Sequence, residues 1–153
     1  MNIEVISIGA DLYSDISAAI RLLNGIQSEF RFITIPEANR LEGLTFQRDR
    51  YATKDVWAFM QAYRTKAGGQ HPLILGFLDR PLSSDTLANL FGSLNAQDGF
   101  AVATLFGHVQ FVSDPRRYIA YYLVRYALSF VKPDLRSHND PARKDCYFSQ
   151  EVV

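Results

Sequence analysis

The stretch Tyr118 to Val131, YIAYYLVRYALSFV, constrains this chain more than any other. Apart from one serine and one arginine, Arg125, every position in it is apolar or aromatic. Asp114 stands just before it and can cap a helix, and Pro115 suits the first helical turn, where a missing N–H costs nothing. Pro133 stops the helix beyond Val131. A helix apolar on nearly every side belongs inside a domain, with the other elements built around it. It is shorter than the roughly 20 residues that a bilayer span requires, and it carries a guanidinium. The expectation is a buried central helix over 115–131.

The chain ahead of it alternates strand and helix. Ile3 to Ile8, IEVISI, is rich in β-branched residues and predicts a buried strand ended by Gly9. Ser14 or Asp15 can cap a helix in which Ile16, Ala19, Ile20, Leu23, Ile26 and Phe30 recur at helical spacing. Arg31 to Ile35 predicts a second strand, closed by Pro36. This strand, helix, strand order implies a right-handed parallel crossover. Residues 37–52 lack a clear period and read as a loop, with a short extended piece near Leu44 to Phe46. Thr53 can cap a helix running to Lys66. His71 to Asp79, HPLILGFLD, has the continuous apolar run of a central strand. Leu87, Leu90 and Phe91 fall in a loop or a brief helix ending near Gly92. Phe100 to Phe106 predicts a fourth strand, and Val109 to Val112 a fifth or an extension of it. The fold class is thus α/β (α+β): a mixed, mostly parallel four- to five-stranded sheet with helices packed on it.

The 153 residues suffice for one core. Residues 1–131 read as a single domain, and 132–153 as a polar C-terminal tail held by few contacts. The tail has no obvious structural terminus, so a truncated chain is the expectation. Lys plus Arg equals Asp plus Glu, 16 of each, so no global charge draws the protein to nucleic acid or an anionic membrane. Arg48, Arg50, Lys54 and Arg64 form either a basic patch or an ordinary solvated face. Cys146 is the only cysteine, which rules out an internal disulfide and a multi-cysteine metal site. MNIEVISIG is not a secretory leader. A soluble, cytoplasmic protein is expected.

Several chemistries lack their motifs. There is no GxxxxGK, GxGxxG or GxSxG. The Gly9 turn after the first strand is either structural or a weak nucleotide loop reaching Ser14. Cys146 adjoins Asp145, whose charge disfavours the thiolate, so a pair with His138 is a weaker reading than an incidental surface thiol. His71, His108 and His138 do not pair at i, i+4, so no zinc site, and no cofactor, is expected. Tyr118, Tyr121, Tyr122 and Tyr126 give the long helix a tyrosine-rich surface. They are either core aromatics whose hydroxyls reach loop carbonyls, or the lining of a pocket together with Arg125. A guanidinium in a greasy helix is costly unless paired. Asp79, Asp98 or a tail aspartate would pair with it structurally; a bound anion or carboxylate-bearing peptide would do so functionally.

From His71 onward, HPLILGFLDRPL, LANLFGSLNAQDGFAVATLFG, DPRRYIAYYLVRYALSFV and DPARKDCYF stand in an order that resembles the archaemetzincin family of zinc-dependent peptidases. The resemblance implies a zincin-like fold. It implies an edge strand at FAVATLF, then the active-site helix, then a cysteine-bearing tail. That family's helix carries HExxHxxGxxH, two histidines on zinc and a glutamate base. In one register Tyr122 and Tyr126 take the places of the first two histidines, Leu123 that of the glutamate and Ser129 that of the glycine. In the register one residue earlier Tyr121, Tyr122 and Arg125 take the first three places. Neither leaves a zinc site or a carboxylate base. Phe148 stands at the methionine of the family's cysteine-x-methionine turn, and the chain ends before its closing CxxC. The resemblance therefore implies a peptidase fold without the peptidase. It would be a binding or regulatory module that takes a peptide or protein partner by strand addition between strand 100–106 and the helix. Tyr121, Tyr122, Arg125 and Tyr126 would line the cleft floor. The alternatives are a metal-independent enzyme using Tyr and Arg in that cleft, and a small nucleotide- or signal-binding α/β domain.

Overall fold

The structure, a computed structural model, describes residues 1–36, 45–66 and 71–134. Along the chain they form β1 (Asn2–Ser7), α1 (Tyr13–Ile26), β2 (Arg31–Ile33), β3 (Tyr51–Ala52) and α2 (Thr53–Lys66). Then come β4 (Ile74–Leu78), β5 (Leu82–Ser83), β6 (Gly92–Asn95), β7 (Phe100–Thr104), a 3-10 turn at His108–Gln110, and α3 (Pro115–Val131). The main sheet has the order β2-β1-β4-β7-β6. Its first three pairings are parallel and β6 runs antiparallel to β7. The mixed, mostly parallel sheet expected from the strand–helix alternation is what forms.

Period-two alternation splits the side chains of the central strands between two cores. Ile3 and Val5 of β1, Leu75 and Phe77 of β4, and Ala101 and Ala103 of β7 face α1 and α3. Ile6 and Ile8, Ile74 and Leu78, and Phe100 and Val102 face α2, where Val56, Met60 and Tyr63 meet them. Because β1, β4 and β7 are covered on both faces, they read as unbroken apolar runs. The two alanines of β7 leave space on one face, and the tyrosines of α3 fill it.

Helix α3 has the bounds its sequence implies. Asp114 caps it, accepting from the N–H of Arg116 at 2.9 Å. It packs beside α1 on one face of the sheet, and no residue from Tyr118 to Phe130 is exposed. No helix among the described residues is long and apolar enough to cross a membrane.

Four expectations need correction. Val109–Val112 is not a strand: Gly107, at φ 77°, turns the chain into the 3-10 turn, and the His108 imidazole Nδ1 bonds to the Val112 carbonyl at 2.8 Å. Strand β7 is not the edge, because β6 covers it. Strand β6 falls where only a loop or brief helix, ending near Gly92, is expected. Gly92, Ser93 and Asn95 have poor strand propensity, and the ladder with β7 overrides it. The turn behind β6 is built by Asn95 and Asp98, side chain to side chain at 2.9 Å and side chain to N–H at 3.2 Å. Finally, α1 starts at Tyr13 with Leu12 as an N-cap lacking a side-chain bond, ahead of Ser14 and Asp15, and it ends before Phe30. The extended piece near Leu44 falls outside the described residues, except for Thr45 and Phe46, which are not strand. Of the tail, only the first three residues are described.

Candidate functional site

The site is built by α3 lying across β7 and β6. Tyr118, Tyr122 and Tyr126 recur one turn apart, so they share one stripe, and all three are buried. Their rings form a ladder, with centroids 5.0 Å apart for Tyr118 and Tyr122 and 5.6 Å for Tyr122 and Tyr126. Tyr121 meets Tyr122 edge-on at 5.1 Å, and His108 adjoins Tyr118 at 5.6 Å. At one end of the ladder the Tyr118 hydroxyl donates to the Thr104 carbonyl of β7 at 2.9 Å. At the other, the Tyr126 hydroxyl lies over the backbone of Gly92 in β6, where a Cβ would sit only 2.1 Å from it. The ladder therefore runs from the end of β7 to the outer edge of the sheet.

Tyr121 and Arg125 lie beside this stripe, half-buried. Arg125 Nη1 donates to the Tyr121 hydroxyl at 2.9 Å, and Ser129 Oγ donates to the Arg125 carbonyl at 2.9 Å. Neither Asp79 nor Asp98 serves Arg125: Asp79 pairs with Arg80 at 3.3 Å, and Asp98 with Asn95. Of the tail aspartates, the exposed Asp134 is described, and Asp140 and Asp145 lie outside the described residues. The four residues singled out for a cleft floor thus occupy contiguous turns of one helix. Tyr122 and Tyr126 face the sheet edge, and Tyr121 and Arg125 form a flank.

Burial pushes the phenols of Tyr118, Tyr122 and Tyr126 up, because removal from water penalises the phenolate. Burial also opposes the charge on Arg125. The neighbouring phenols, Tyr121 first, outweigh it and raise the guanidinium's pKa.

That donor set does not fit zinc. A phenol binds a metal as the phenolate, and burial disfavours that form at Tyr122 and Tyr126. Leu123, between them on the helix, is 0% exposed and apolar. His108 spends one ring nitrogen on Val112. Among the described residues no three His, Cys, Asp or Glu side chains converge.

The sequence passes over three features. The first is the outer edge of β6, which no strand covers among the described residues. Thr104 N–H donates to the Phe91 carbonyl at 2.9 Å. By the two-residue repeat of an antiparallel ladder, residues 91, 93 and 95 therefore face β7, while Gly92 and Leu94 aim their N–H and C=O groups outward. Beside it lies a cavity of about 300 Å³ lined by Pro81, Leu82, Leu90, Phe91, Phe106 and Gln110, among others. Phe106 and Val109 nearby are 53% and 69% exposed. The third is Glu4, buried on the α2 face, where its carboxylate accepts from the Tyr63 hydroxyl and lies 3.9 Å from His71 Nε2. Its only sequence signal is a carboxylate inside an otherwise apolar strand.

No protein-family model matches this sequence, and no curated protein does. Solved structures do. An archaemetzincin from Methanopyrus kandleri superposes with a TM-score of 0.61 at 14% identity, covering 97% of this chain and 80% of the other. A zinc-dependent peptidase from Methanocorpusculum labreanum gives 0.63 at 11% identity, covering 96% and 87%. An archaemetzincin from Archaeoglobus fulgidus, complexed with malonate, gives 0.60 at 12% identity, covering 97% and 85%. The chain has an archaemetzincin-like fold.

Proposed function

We propose that this protein is a peptidase-like fold that holds an extended segment of a protein partner and does not cleave it. One observation carries the reading: in an archaemetzincin-like fold, β6 presents an outward-facing strand edge above the buried tyrosine stripe of α3. Gly92 and Leu94 offer the backbone donors and acceptors that an added strand needs. The cavity between Phe91 and Phe106 suits one apolar side chain of that segment. The expectation that it does not hydrolyse rests on the resemblance: in either register, Tyr122, Leu123 and Tyr126 or Tyr121, Tyr122 and Arg125, the helix offers neither a pair of imidazoles nor a carboxylate base.

The test uses proline as a probe of the edge. Short random peptides are selected on the intact protein by display, and their affinities measured by fluorescence anisotropy. Leu94→Pro removes an N–H that points away from β7, so the internal ladder survives. Leu94→Ala removes the same side chain and keeps the N–H. Leu94→Pro is expected to weaken binding at least about tenfold more than Leu94→Ala, the loss of one bond plus its neighbours' alignment. Equal affinities of the two variants, or mass-spectrometric evidence that selected peptides are cut, would overturn the proposal.

A further inference from the structure

A second site lies at the other side of the sheet order, and it does not depend on the peptide reading. From β1 the chain passes through α1 to β2 on one flank. It then returns through α2, on the opposite face, to β4 on the other flank. The direction of winding therefore reverses between β1 and β4. In open parallel sheets the crevice beyond the carboxyl ends of the strands at such a reversal is left uncovered, because the two connections leave in opposite directions. A cavity of about 400 Å³ sits there, lined by Gly9 after β1, Arg80 after β4, and Gln47, Arg48 and Asp49.

Its walls are braced. Strands β3 and β5 pair in parallel and tie the 46–50 segment to the loop after β4, with Tyr51 N–H donating to the Pro81 carbonyl at 2.9 Å. The buried Tyr51 hydroxyl donates to the Phe46 carbonyl at 2.7 Å and accepts from Arg48 N–H at 3.2 Å. The Arg48 guanidinium lies 5.0 Å above the Phe46 ring. The Arg80 carbonyl accepts from Thr104 Oγ1 at 2.7 Å. Arg48 Nη1 also donates to the Gln47 carbonyl at 2.8 Å, and the two arginines line one hollow from backbone fixed on both sides of it. The side-chain partner of Arg80 is Asp79, at 3.3 Å, and both side chains are solvated. Such a surface pair is weak and yields readily to a doubly charged anion.

We infer that this hollow binds a phosphorylated polyhydroxy compound: Arg48 and Arg80 take the phosphate, and Asp49 and Gln47 take hydroxyl groups. The guanidinium fork matches phosphate oxygens in geometry and charge. A carboxylate and an amide on the same wall accept and donate to hydroxyls, which bare phosphate lacks. The cavity has the size of small-ligand sites in general. Gly9 has a different task. At φ 74° its missing Cβ leaves room for the Tyr51 hydroxyl, which a Cβ would approach to 1.8 Å. A larger residue at Gly9 would therefore disturb the brace, so it is no clean probe of ligand contact.

Isothermal titration calorimetry of the whole chain with ribose 5-phosphate, ribose and inorganic phosphate tests the assignment. Ribose 5-phosphate is expected to bind saturably, one to one, inorganic phosphate at least about tenfold more weakly, and ribose not measurably. Arg80→Gln and Arg48→Gln should each weaken ribose 5-phosphate about tenfold or more. Arg80 is exposed, so Arg80→Gln should keep the wild-type thermal unfolding curve. Absence of saturable binding to the wild-type protein would overturn the site. So would affinity unchanged in both variants. Inorganic phosphate binding as tightly as the sugar phosphate would refute the hydroxyl half of the inference.

Discussion

Placing one methyl group on the edge strand tests the geometry of the tyrosine ladder. Gly92 has no positive φ, so Gly92→Ala is unstrained in backbone terms and would ordinarily stabilise by about 0.4–1 kcal/mol through the unfolded chain. Space reverses the sign. The new Cβ would lie 2.1 Å from Tyr126 Oη, 3.1 Å from its Cζ and 2.8 Å from the Val102 carbonyl oxygen. The ring tip must retreat by more than an ångström into a packed core, and the carbonyl belongs to a central strand that cannot retreat. Overpacking of this kind costs about 1–3 kcal/mol, leaving a net destabilisation of about 1–2 kcal/mol. Tyr126→Phe removes the nearest atom and leaves the carbonyl contact. In that background the cost of Gly92→Ala should fall by about half or more, a coupling that a double-mutant cycle reads directly. Urea unfolding followed by the fluorescence of Trp57, the single tryptophan, supplies the four free energies. A neutral Gly92→Ala, or an equal cost in both backgrounds, would refute the claim that the Tyr126 hydroxyl rests on the sheet edge.

Two further outcomes follow from buried polar groups. Tyr118, Tyr122 and Tyr126 keep their protons in the fold, whereas an unfolded phenol ionises near 10.0. The unfolded state thus binds fewer protons above that pH, and stability present below about pH 10 is lost as the pH rises through and beyond it. The urea midpoint should fall more steeply between about pH 9 and about pH 11 than in a Tyr122→Phe, Tyr126→Phe double variant; parallel slopes would contradict the burial argument. Tyr63→Phe deletes the donor that serves the buried Glu4 carboxylate and should cost about 1–3 kcal/mol in the same assay, and a loss near zero would mean the carboxylate does not depend on that hydroxyl.

Local pattern carried the elements that pack on both faces or along one stripe. Ile3–Ile8 and His71–Asp79 announce strands because central parallel strands have no polar side to show. Pro115 to Val131 is bounded by its own cap and stop. The spacing of Tyr118, Tyr122 and Tyr126, and of Tyr121 with Arg125, implies their contacts, since residues four apart meet on a helix. Strand β6 was hidden because Gly-Ser-Leu-Asn has no propensity of its own and forms only where β7 offers a partner. With β6 goes the edge, and without it FAVATLF reads as the outermost strand. The Arg48 and Arg80 hollow was illegible for another reason: its residues lie far apart in sequence and meet only through the reversal of winding between β1 and β4. Glu4 was legible in principle. Alternation puts it with Ile6 and Ile8 on the α2 face, and a carboxylate there demands a donor.

The brevity of β6 limits how tenaciously anything can be gripped. Only Gly92 and Leu94 turn their backbone groups away from β7, so a guest chain gains a handful of main-chain bonds and no more. If β6 takes a strand as proposed, so slight a grip would suit a partner that comes and goes, with selectivity resting on whichever side chain fits between Phe91 and Phe106. The same economy protects the protein from itself, because two copies meeting rim to rim would find too few bonds to zip into a continuous sheet.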